Sequence, residues 1–206
     1  MIPDTVFPTD NKYDIPVLDP NMEAGLIDFP FIAWGSVSRT STNKGTWHFY
    51  VDDYRFSALW DKAEMVPATQ CISVVEVNYT ITDQMPYPIA LYRIYQKRWL
   101  ARYWQSQGIR VIADLNVARP FQKMNMLGIP DGWKTYATHG YNDRIEDLEM
   151  ELDLAENKAG TKSITFLVYG GGEKVKEFCL KHASVTHTDE HRNMIEVIDN
   201  MSEFRG

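Results

Sequence analysis

The sequence predicts an α/β protein whose sheet is mainly parallel. Apolar, β-rich runs alternate with segments of helical periodicity five or six times along the chain, and this alternation is typical of parallel strands joined by right-handed crossovers. Three runs, including residues 71–78 and 109–117, are almost continuously apolar, as strands covered on both faces are. Six to eight expected strands favour a small or incomplete TIM-like (β/α) barrel, and an open doubly wound sheet is the alternative.

The chain divides into three expected parts. Residues 1–45 are rich in Pro, Asp, Asn and Gly, so we expect an extended lead-in with one short strand at residues 31–34. The α/β domain is expected over residues 46–188, and a C-terminal helix over residues 189–206. The N-terminus lacks the basic and apolar regions of a signal peptide, and no apolar run is long enough to span a bilayer. We therefore expect a cytoplasmic protein.

The strongest helix of the domain is expected at residues 89–107. Pro86 and Pro88 suit its first turn, aromatic residues recur within it at helical spacing, and Gly108 is placed to end it. Further helices are expected at residues 56–65, 143–158 and 173–182. The expected strands of the domain are residues 48–53, 71–78, 109–117, 135–139, 164–169 and 184–187.

Charge and cysteine content narrow the classes of function. The net charge of −7 disfavours simple duplex binding, because phosphate neutralisation requires basic residues. Cys71 and Cys179 each lie within an apolar run and are expected to be buried thiols. Two cysteines are too few for a disulfide framework or for a zinc site of their own.

A functional site is expected at the carboxyl ends of the strands, where both candidate architectures bind ligands. Polar residues follow the apolar strands there. They could bind Mg²⁺ or Mn²⁺ through oxygen ligands or divide into acid and base, although Asp and Asn also favour loops and caps without any function. The candidate catalytic residues are Asp52, Glu76, Asp114 and His139, and the candidate ligand-binding residues are Asp53, Asn78, Asn116, Gly170, Gly171 and Gly172.

Several motifs do not carry a function when their context is considered. Residues 170–172 lack the pattern of a phosphate-binding loop, so a tight turn is the alternative to a ligand site. Residues 50–53 read YVDD, as in reverse transcriptases, but a polymerase needs antiparallel strands. His187 and His191 match the H-x-x-E-H zinc motif without a third ligand, so we expect no structural metal there. The aromatic residues of the 89–107 helix could stack on single-stranded bases but are more typical of a core.

Five segments together resemble an uncharacterised domain family often carried by phages and other mobile elements. They are WHFYVDDYRF at residues 47–56, KRWLARYWQ at 97–105, DLNV at 114–117, GIPDGW at 128–133 and YGGG at 169–172. The resemblance covers residues 34–187 approximately. It implies a phage or mobile-element origin, and hence the cytoplasm of a host cell, but it brings no activity and no catalytic residues.

Two functions of different classes follow as hypotheses, and the sequence leaves open whether the protein is an enzyme. The first is a phage or mobile-element accessory protein that binds a protein partner in DNA replication, recombination or host takeover. The alternative is a metal-assisted hydrolase or lyase that acts on a nucleotide or phosphate-bearing substrate at the rim of the strands. No membrane partner is expected, and single-stranded nucleic acid is a less favoured partner.

Overall fold

A single parallel sheet organises the molecule. The computed structural model describes residues 6–35 and 44–188, and within them the strands pair in chain order from first to last, always in parallel. The expectation of a mainly parallel sheet is confirmed. A doubly wound sheet would reverse its strand order part-way, so that alternative is excluded. The strands are β1 Phe31–Ala33, β2 Thr46–His48, β3 Ser73–Val75, β4 Arg110–Asp114, β5 Thr135–His139, β6 Thr165–Tyr169 and β7 Val185–Thr188.

The sheet curls into a half-barrel. In a flat sheet β2 and β6 would lie four strand spacings apart, roughly 19 Å. Instead the rings of His48 and Tyr169 are 4.4 Å apart between centroids, and those of Phe31 and Tyr169 are 6.1 Å apart. The first two strands therefore face the sixth across the concave side, which agrees with the expected incomplete (β/α) barrel.

Four helices connect the strands: α1 Tyr87–Ser106, α2 Gln122–Asn125, α3 Ile145–Ala159 and α4 Glu173–Lys181. The helix expected at residues 89–107 is confirmed as α1, with Pro88 in its first turn. Gly108 follows it with a φ of +87°, which a residue without a side chain adopts easily. Helix α3 likewise matches its expected position and ends at Gly160, whose φ is +66°.

Side-chain alternation divides the core between the two faces of the sheet. In β4, Val111 and Ala113 pack with α1 and α3 in the largest apolar cluster, which lies between the sheet and the helices. Ile112 points the other way and packs with Phe31, Leu167 and five other residues on the concave side. Because alternate residues of a strand share a face, Asp114 lies on the same side as Ile112. The carboxyl end of β4 thus carries its charge toward the inside of the curl.

The segment between β2 and β3 differs from the expected strand and helix. Strand β2 ends at His48, and the helix expected at residues 56–65 is replaced by successive short 3₁₀ helices between residues 53 and 69. Lys62 has φ −138° and ψ 57°, which interrupts any continuous α-helix. The apolar residues Phe56, Leu59 and Val66 are nevertheless fully buried, so their periodicity reports a buried face and not an α-helix.

The described part of the lead-in contributes to the core. Ile15, Leu18 and Ala24 are buried, and β1 belongs to the sheet. The backbone N–H of Ala24 donates to the carbonyl of Val111 at 3.0 Å, so this segment joins β4. The helix expected at residues 189–206 lies outside the described residues. Among the described helices, none combines the length and apolar character needed to cross a membrane.

A candidate site at the carboxyl ends of the strands

Asp114 is the centre of a buried polar cluster at the end of β4. Its Oδ2 accepts a hydrogen bond from Nζ of Lys97 at 2.8 Å, and its Oδ1 accepts one from the hydroxyl of Tyr50 at 3.0 Å. Asp114 and Lys97 are both fully buried. Burial raises the pKa of Asp114, and the adjacent Lys97 opposes that rise. The carboxylate is therefore held in place by a cation and a phenol.

A second buried ion pair lies next to the first. Nη1 of Arg98 is 2.5 Å from Oε2 of Glu76, and both side chains are fully buried. The backbone N–H of Asp114 donates to the same Glu76 oxygen at 3.1 Å, so the two pairs are directly linked. Lys97 and Arg98 are consecutive in α1, and their side chains diverge by about 100° around the helix. Helix α1 thus supplies both cations: Arg98 reaches the end of β3, and Lys97 reaches the end of β4.

Two asparagines lie above this buried layer and hydrogen-bond to each other. Nδ2 of Asn116 donates to Oδ1 of Asn78 at 3.0 Å, and both side chains are half-buried. The backbone N–H of Asn116 donates to Oδ1 of Asp114 at 3.3 Å. The charged cluster thus helps to fix the position of the Asn78–Asn116 amide pair through the bond between the Asn116 N–H and Asp114.

An open cleft of about 560 Å³ lies over the ends of β3, β4 and β5, and the amide pair forms part of its wall. The side chain of Tyr79, which also lines the cleft, is only 3% exposed. Its hydroxyl has no hydrogen-bond partner among the residues described, and burial raises its pKa well above the usual range. The complete lining is Asn78, Tyr79, Thr80, Ile81, Thr82, Asp83, Gln84, Asn116, Val117, Ala118, Tyr141 and Arg144.

A chamber of about 10 Å³, at the lower limit of the space that holds one water molecule, adjoins the cleft and shares Asn116, Tyr141 and Arg144 with it. Glu151 of α3 and the half-buried His139 also line this chamber. The hydroxyl of Thr138 donates to Oε2 of Glu151 at 2.6 Å. Burial, reinforced by the charges of Asp114 and Asp147, raises the pKa of Glu151 well above its usual range. A carboxyl group with a raised pKa can donate a proton near neutral pH.

Aromatic rings and imidazoles fill the concave side behind Asp114. His48 stacks on Phe31 at 4.4 Å with an interplanar angle of 14°, and it lies 4.4 Å from the ring of Tyr169. Neither ring nitrogen of His48 has a hydrogen-bond partner in the part of the chain that the structure describes. Burial lowers the pKa of His48 from 6.5 to about 3, so this imidazole is neutral at physiological pH.

Comparison with known proteins places the chain in a family. A family model described as a domain of unknown function, DUF4417, matches residues 7–183. The chain belongs to the DUF4417 family. This match confirms the expected membership of an uncharacterised family, and it begins within the segment that the sequence analysis treats as a lead-in.

The curated relatives of this DUF4417 chain are phage proteins. The chain is 31% identical over 132 residues to the Gene 1 protein of Mycobacterium phage D29, covering 61% of this chain and 48% of that protein. It is 30% identical over 173 residues to the Gene 1 protein of Mycobacterium phage L5, covering 80% of this chain and 74% of that protein. The match thus spans about half the length of the D29 protein. No solved structure matches the chain.

The structure brings some of the predicted site residues of this DUF4417 domain together and leaves others apart. Glu76 and Asp114 are linked through the Asp114 N–H, and His139 borders the chamber behind the cleft. Asp53 accepts hydrogen bonds from the N–H and hydroxyl of Thr80 and so supports the cleft wall. Asp52 is exposed, and no side-chain hydrogen bond or ion pair of the described residues joins it to the other three. Catalytic roles for these residues stay predictions.

The glycine turn lies between β6 and α4. Gly170 and Gly171 have φ values of +71° and +87°, and the N–H of Gly172 donates to Oδ1 of Asn142 at 3.0 Å. This geometry is that of a tight turn, and ligand binding by its glycines stays a prediction. Of the H-x-x-E-H motif, His187 bonds the carbonyl of Gly170 at 3.1 Å, and His191 lies outside the described residues.

The predicted carboxylates do not fit a divalent cation. Oδ2 of Asp114 and Oε2 of Glu76 each face a cation of α1, and a metal would have to displace Lys97 or Arg98. Within residues 6–35 and 44–188, no three His, Cys, Asp or Glu side chains form a group that could hold a metal ion. The described residues of this site therefore offer protein acids, bases and hydrogen-bonding groups for chemistry, and no set of metal ligands.

Sequence reasoning missed several residues that build the site. Lys97 and Arg98 were not among the predicted site residues. A signal was available, because both cations are flanked by Ile94 and Tyr95 on one side and by Trp99 and Leu100 on the other, and cations within a buried helix need acidic partners. The other missed residues, which gave no comparable signal, are Tyr50, Tyr79, Tyr141, Arg144 and Glu151.

Proposed function

We propose that this DUF4417 protein is an enzyme of the hydrolase or lyase class that binds a small polar substrate in the cleft at the carboxyl ends of β3, β4 and β5. One observation carries the proposal: Tyr79 lines the cleft, and its buried hydroxyl has no hydrogen-bond partner among the described residues. An unsatisfied buried hydroxyl costs about 1–3 kcal/mol, and a polar ligand would recover that energy.

The surroundings of the cleft support chemistry as well as binding. The volume of about 560 Å³ falls within the range of small-molecule sites, about 300–1,000 Å³. Glu151 and His139 line the adjoining chamber, and both residue types move protons in hydrolases and lyases. Asp114 holds the backbone of Asn116 from below, so we assign it a positioning role.

The proposal is tested with a small-molecule extract of bacterial cells. The full chain is incubated with the extract, and mass spectrometry follows which compounds are consumed, formed or retained. We expect at least one polar compound to change with wild-type protein and not with Tyr79→Phe, which removes only the unpartnered hydroxyl. The matched control is Tyr136→Phe, which removes another buried hydroxyl, one that bonds the carbonyl of Trp133 away from the cleft. Identical profiles with and without wild-type protein would refute the proposal.

A second candidate function is the binding of a protein partner in phage DNA replication, recombination or host takeover. It is supported by an exposed patch at the start of α1, where Tyr87, Ile89 and Tyr92 are 51%, 48% and 46% exposed. Aromatic side chains are enriched at protein interfaces. The phage origin of the relatives is compatible with such an accessory role.

The patch is tested by affinity purification of the tagged full chain from phage-infected cells. Wild-type protein should retain a stoichiometric partner, and Tyr87→Ser combined with Tyr92→Ser should lose it while Tyr54→Ser, at another exposed tyrosine, keeps it. Retention of the same partner by the double variant would exclude this patch as the interface.

A further inference from the structure

The amide pair presents a donor and an acceptor side by side. The hydrogen bond between the two asparagines uses Nδ2 of Asn116 and Oδ1 of Asn78. It leaves Oδ1 of Asn116 as an acceptor and Nδ2 of Asn78 as a donor, and both residues line the cleft. Nucleobases also present adjacent donor and acceptor atoms on their edges, and asparagine amides are among the side chains that read them.

An aromatic ring and a guanidinium complete the same wall. Tyr141 lines the cleft, is 38% exposed, and packs on His139 with 4.4 Å between ring centroids. The guanidinium of Arg144 lies 5.2 Å from the Tyr141 ring, and its Nε donates to Oδ2 of Asp147 at 2.9 Å. That bond leaves the two Nη groups of Arg144 for another anion. Exposed aromatic rings stack on bases, and arginine binds phosphate in a forked geometry.

We propose that the cleft binds a nucleoside monophosphate, with the base read by the amide pair and stacked on Tyr141, and the phosphate bound by Arg144. This inference rests on the proposed function, because it names the substrate class of the same cleft. Arg144 is the lining residue that carries a positive charge, and Asp83 is the one that carries a negative charge. One cation suits a single phosphate better than a di- or triphosphate.

The test is isothermal titration of the full chain with nucleosides, their 5′-monophosphates, ribose 5-phosphate and inorganic phosphate. We expect one monophosphate to bind at least about tenfold more tightly than its nucleoside, since hydrogen bonds to a charged group contribute about that factor or more. Arg144→Gln should abolish this advantage and leave nucleoside binding unchanged. Asp83→Asn should tighten monophosphate binding, because it removes a negative charge from a cleft that holds an anion.

Arg119→Gln is the matched control. Arg119 also pairs with Asp147, at 2.5 Å, but it does not line the cleft, so this variant should bind the monophosphate normally. Equal loss of affinity in the Arg119 and Arg144 variants would overturn the role of Arg144. Ribose 5-phosphate that binds as tightly as the nucleotide would overturn base recognition, and so would the absence of any binding in the panel. In either case the extract experiment with Tyr79→Phe decides separately whether the cleft is an active site.

Discussion

Asp114 is a carboxylate at a position where an unpaired charge would be very costly. It is fully buried, and Lys97 and Tyr50 bind its two oxygens. Replacing Asp114 with Asn keeps the shape but leaves the ammonium of Lys97 buried without a counter-charge. Breaking a buried pair on one side typically costs about 3–5 kcal/mol, so we expect Asp114→Asn to lower the free energy of unfolding by about 3 kcal/mol in urea titrations.

Asp131→Asn is the control for this prediction, because Asp131 pairs with Lys158 in an exposed position. Exposed pairs contribute little to stability, so this variant should unfold like the wild type. The double variant Asp114→Asn with Lys97→Met should recover much of the loss, since no buried charge then lacks a counter-charge. A wild-type unfolding curve for Asp114→Asn would contradict the structural role of the pair.

The buried His48 makes the free energy of unfolding depend on pH. Its pKa falls from 6.5 in the unfolded chain to about 3 in the folded one, so the unfolded state binds more protons between these values. The stabilisation that the folded protein gains from keeping His48 neutral is therefore fully present above pH 6.5 and is lost as the pH falls toward 3. Linkage gives a loss of about 2 kcal/mol at pH 5 relative to pH 7 from this group.

The variant His48→Phe tests this origin of the acid sensitivity. Phe keeps a ring between Phe31 and Tyr169 and cannot take up a proton, so the variant should lose about 2 kcal/mol less than the wild type between pH 7 and pH 5. Urea titrations at both pH values measure the difference. His182→Gln, which changes a partly exposed histidine of the α4 terminus, should keep the wild-type dependence. An unchanged dependence in His48→Phe would assign the effect to other groups.

The positions of the polar residues at the strand ends were predictable, but their partners were not. Asp114 and Asn116 follow an apolar strand, and that local pattern places them at the rim. The pairing of Asp114 with Lys97, and not with the adjacent Arg98, depends on the rotation of α1 over the sheet. A rotation of one residue, about 100°, exchanges the two cations, and one-dimensional periodicity does not determine it to that accuracy.

At the scale of elements, the turn between β6 and α4 depends on Gly171. Its φ is +87°, and a Cβ there would lie 2.6 Å from Cγ2 of Val175. Gly160 at the end of α3 also has a positive φ, +66°, but has open space around it. Left-handed backbone costs an alanine about 1 kcal/mol. We expect Gly160→Ala to lose about that amount, and Gly171→Ala to lose about 2 kcal/mol or more because Val175 must also shift.

Chemical unfolding of the two alanine variants compares them directly. Equal losses of unfolding free energy would show that Val175 can shift without a measurable penalty. Gly171 would then be required only for its backbone conformation.

Helix α1 was predictable from its ends and its periodicity, whereas the elements between β2 and β3 were not. The proline at its start and Gly108 at its end mark both boundaries. Between residues 53 and 69 the apolar spacing of three and four residues also fits an α-helix, but the backbone forms separate 3₁₀ turns. Both kinds of helix bury residues at similar spacing, so hydrophobic periodicity does not separate them.

At the scale of the molecule, stability should be uneven across the sheet. Strands β4, β5 and β6 have five residues each and lie inside the sheet, whereas β1 has three residues and, among the described strands, a neighbour on one side only. Local opening is easier where fewer contacts are lost. Native-state hydrogen exchange should therefore be slowest in β4, β5 and β6 and markedly faster in β1. Equal protection of β1 would indicate that the sheet opens as one unit.

The alternation of strands and helices in the sequence was enough to predict the fold class. It was not enough to predict the order of the strands in the sheet. The alternation implies parallel pairing but leaves open whether each strand joins its predecessor or returns to the other edge. The backbone pairing of the strands decides this, and the curl of the sheet is seen in the contact of Tyr169 with Phe31 and His48 across the concave side. This contact joins residues more than a hundred positions apart, and no local pattern in the sequence reports it.

The strand order also bears on how the chain is made. Each strand pairs with the strand before it in the sequence, so a growing chain leaving the ribosome can extend its sheet at one edge without waiting for a distant partner. Such sequential pairing keeps the separation between partners short, and short separations favour fast folding. Two contacts are exceptions: Ala24 joins Val111 only after β4 has been made, and the ring of Tyr169 reaches Phe31 and His48 later still. We therefore expect the sheet to be assembled during synthesis and its curl to be completed only after β6 has emerged.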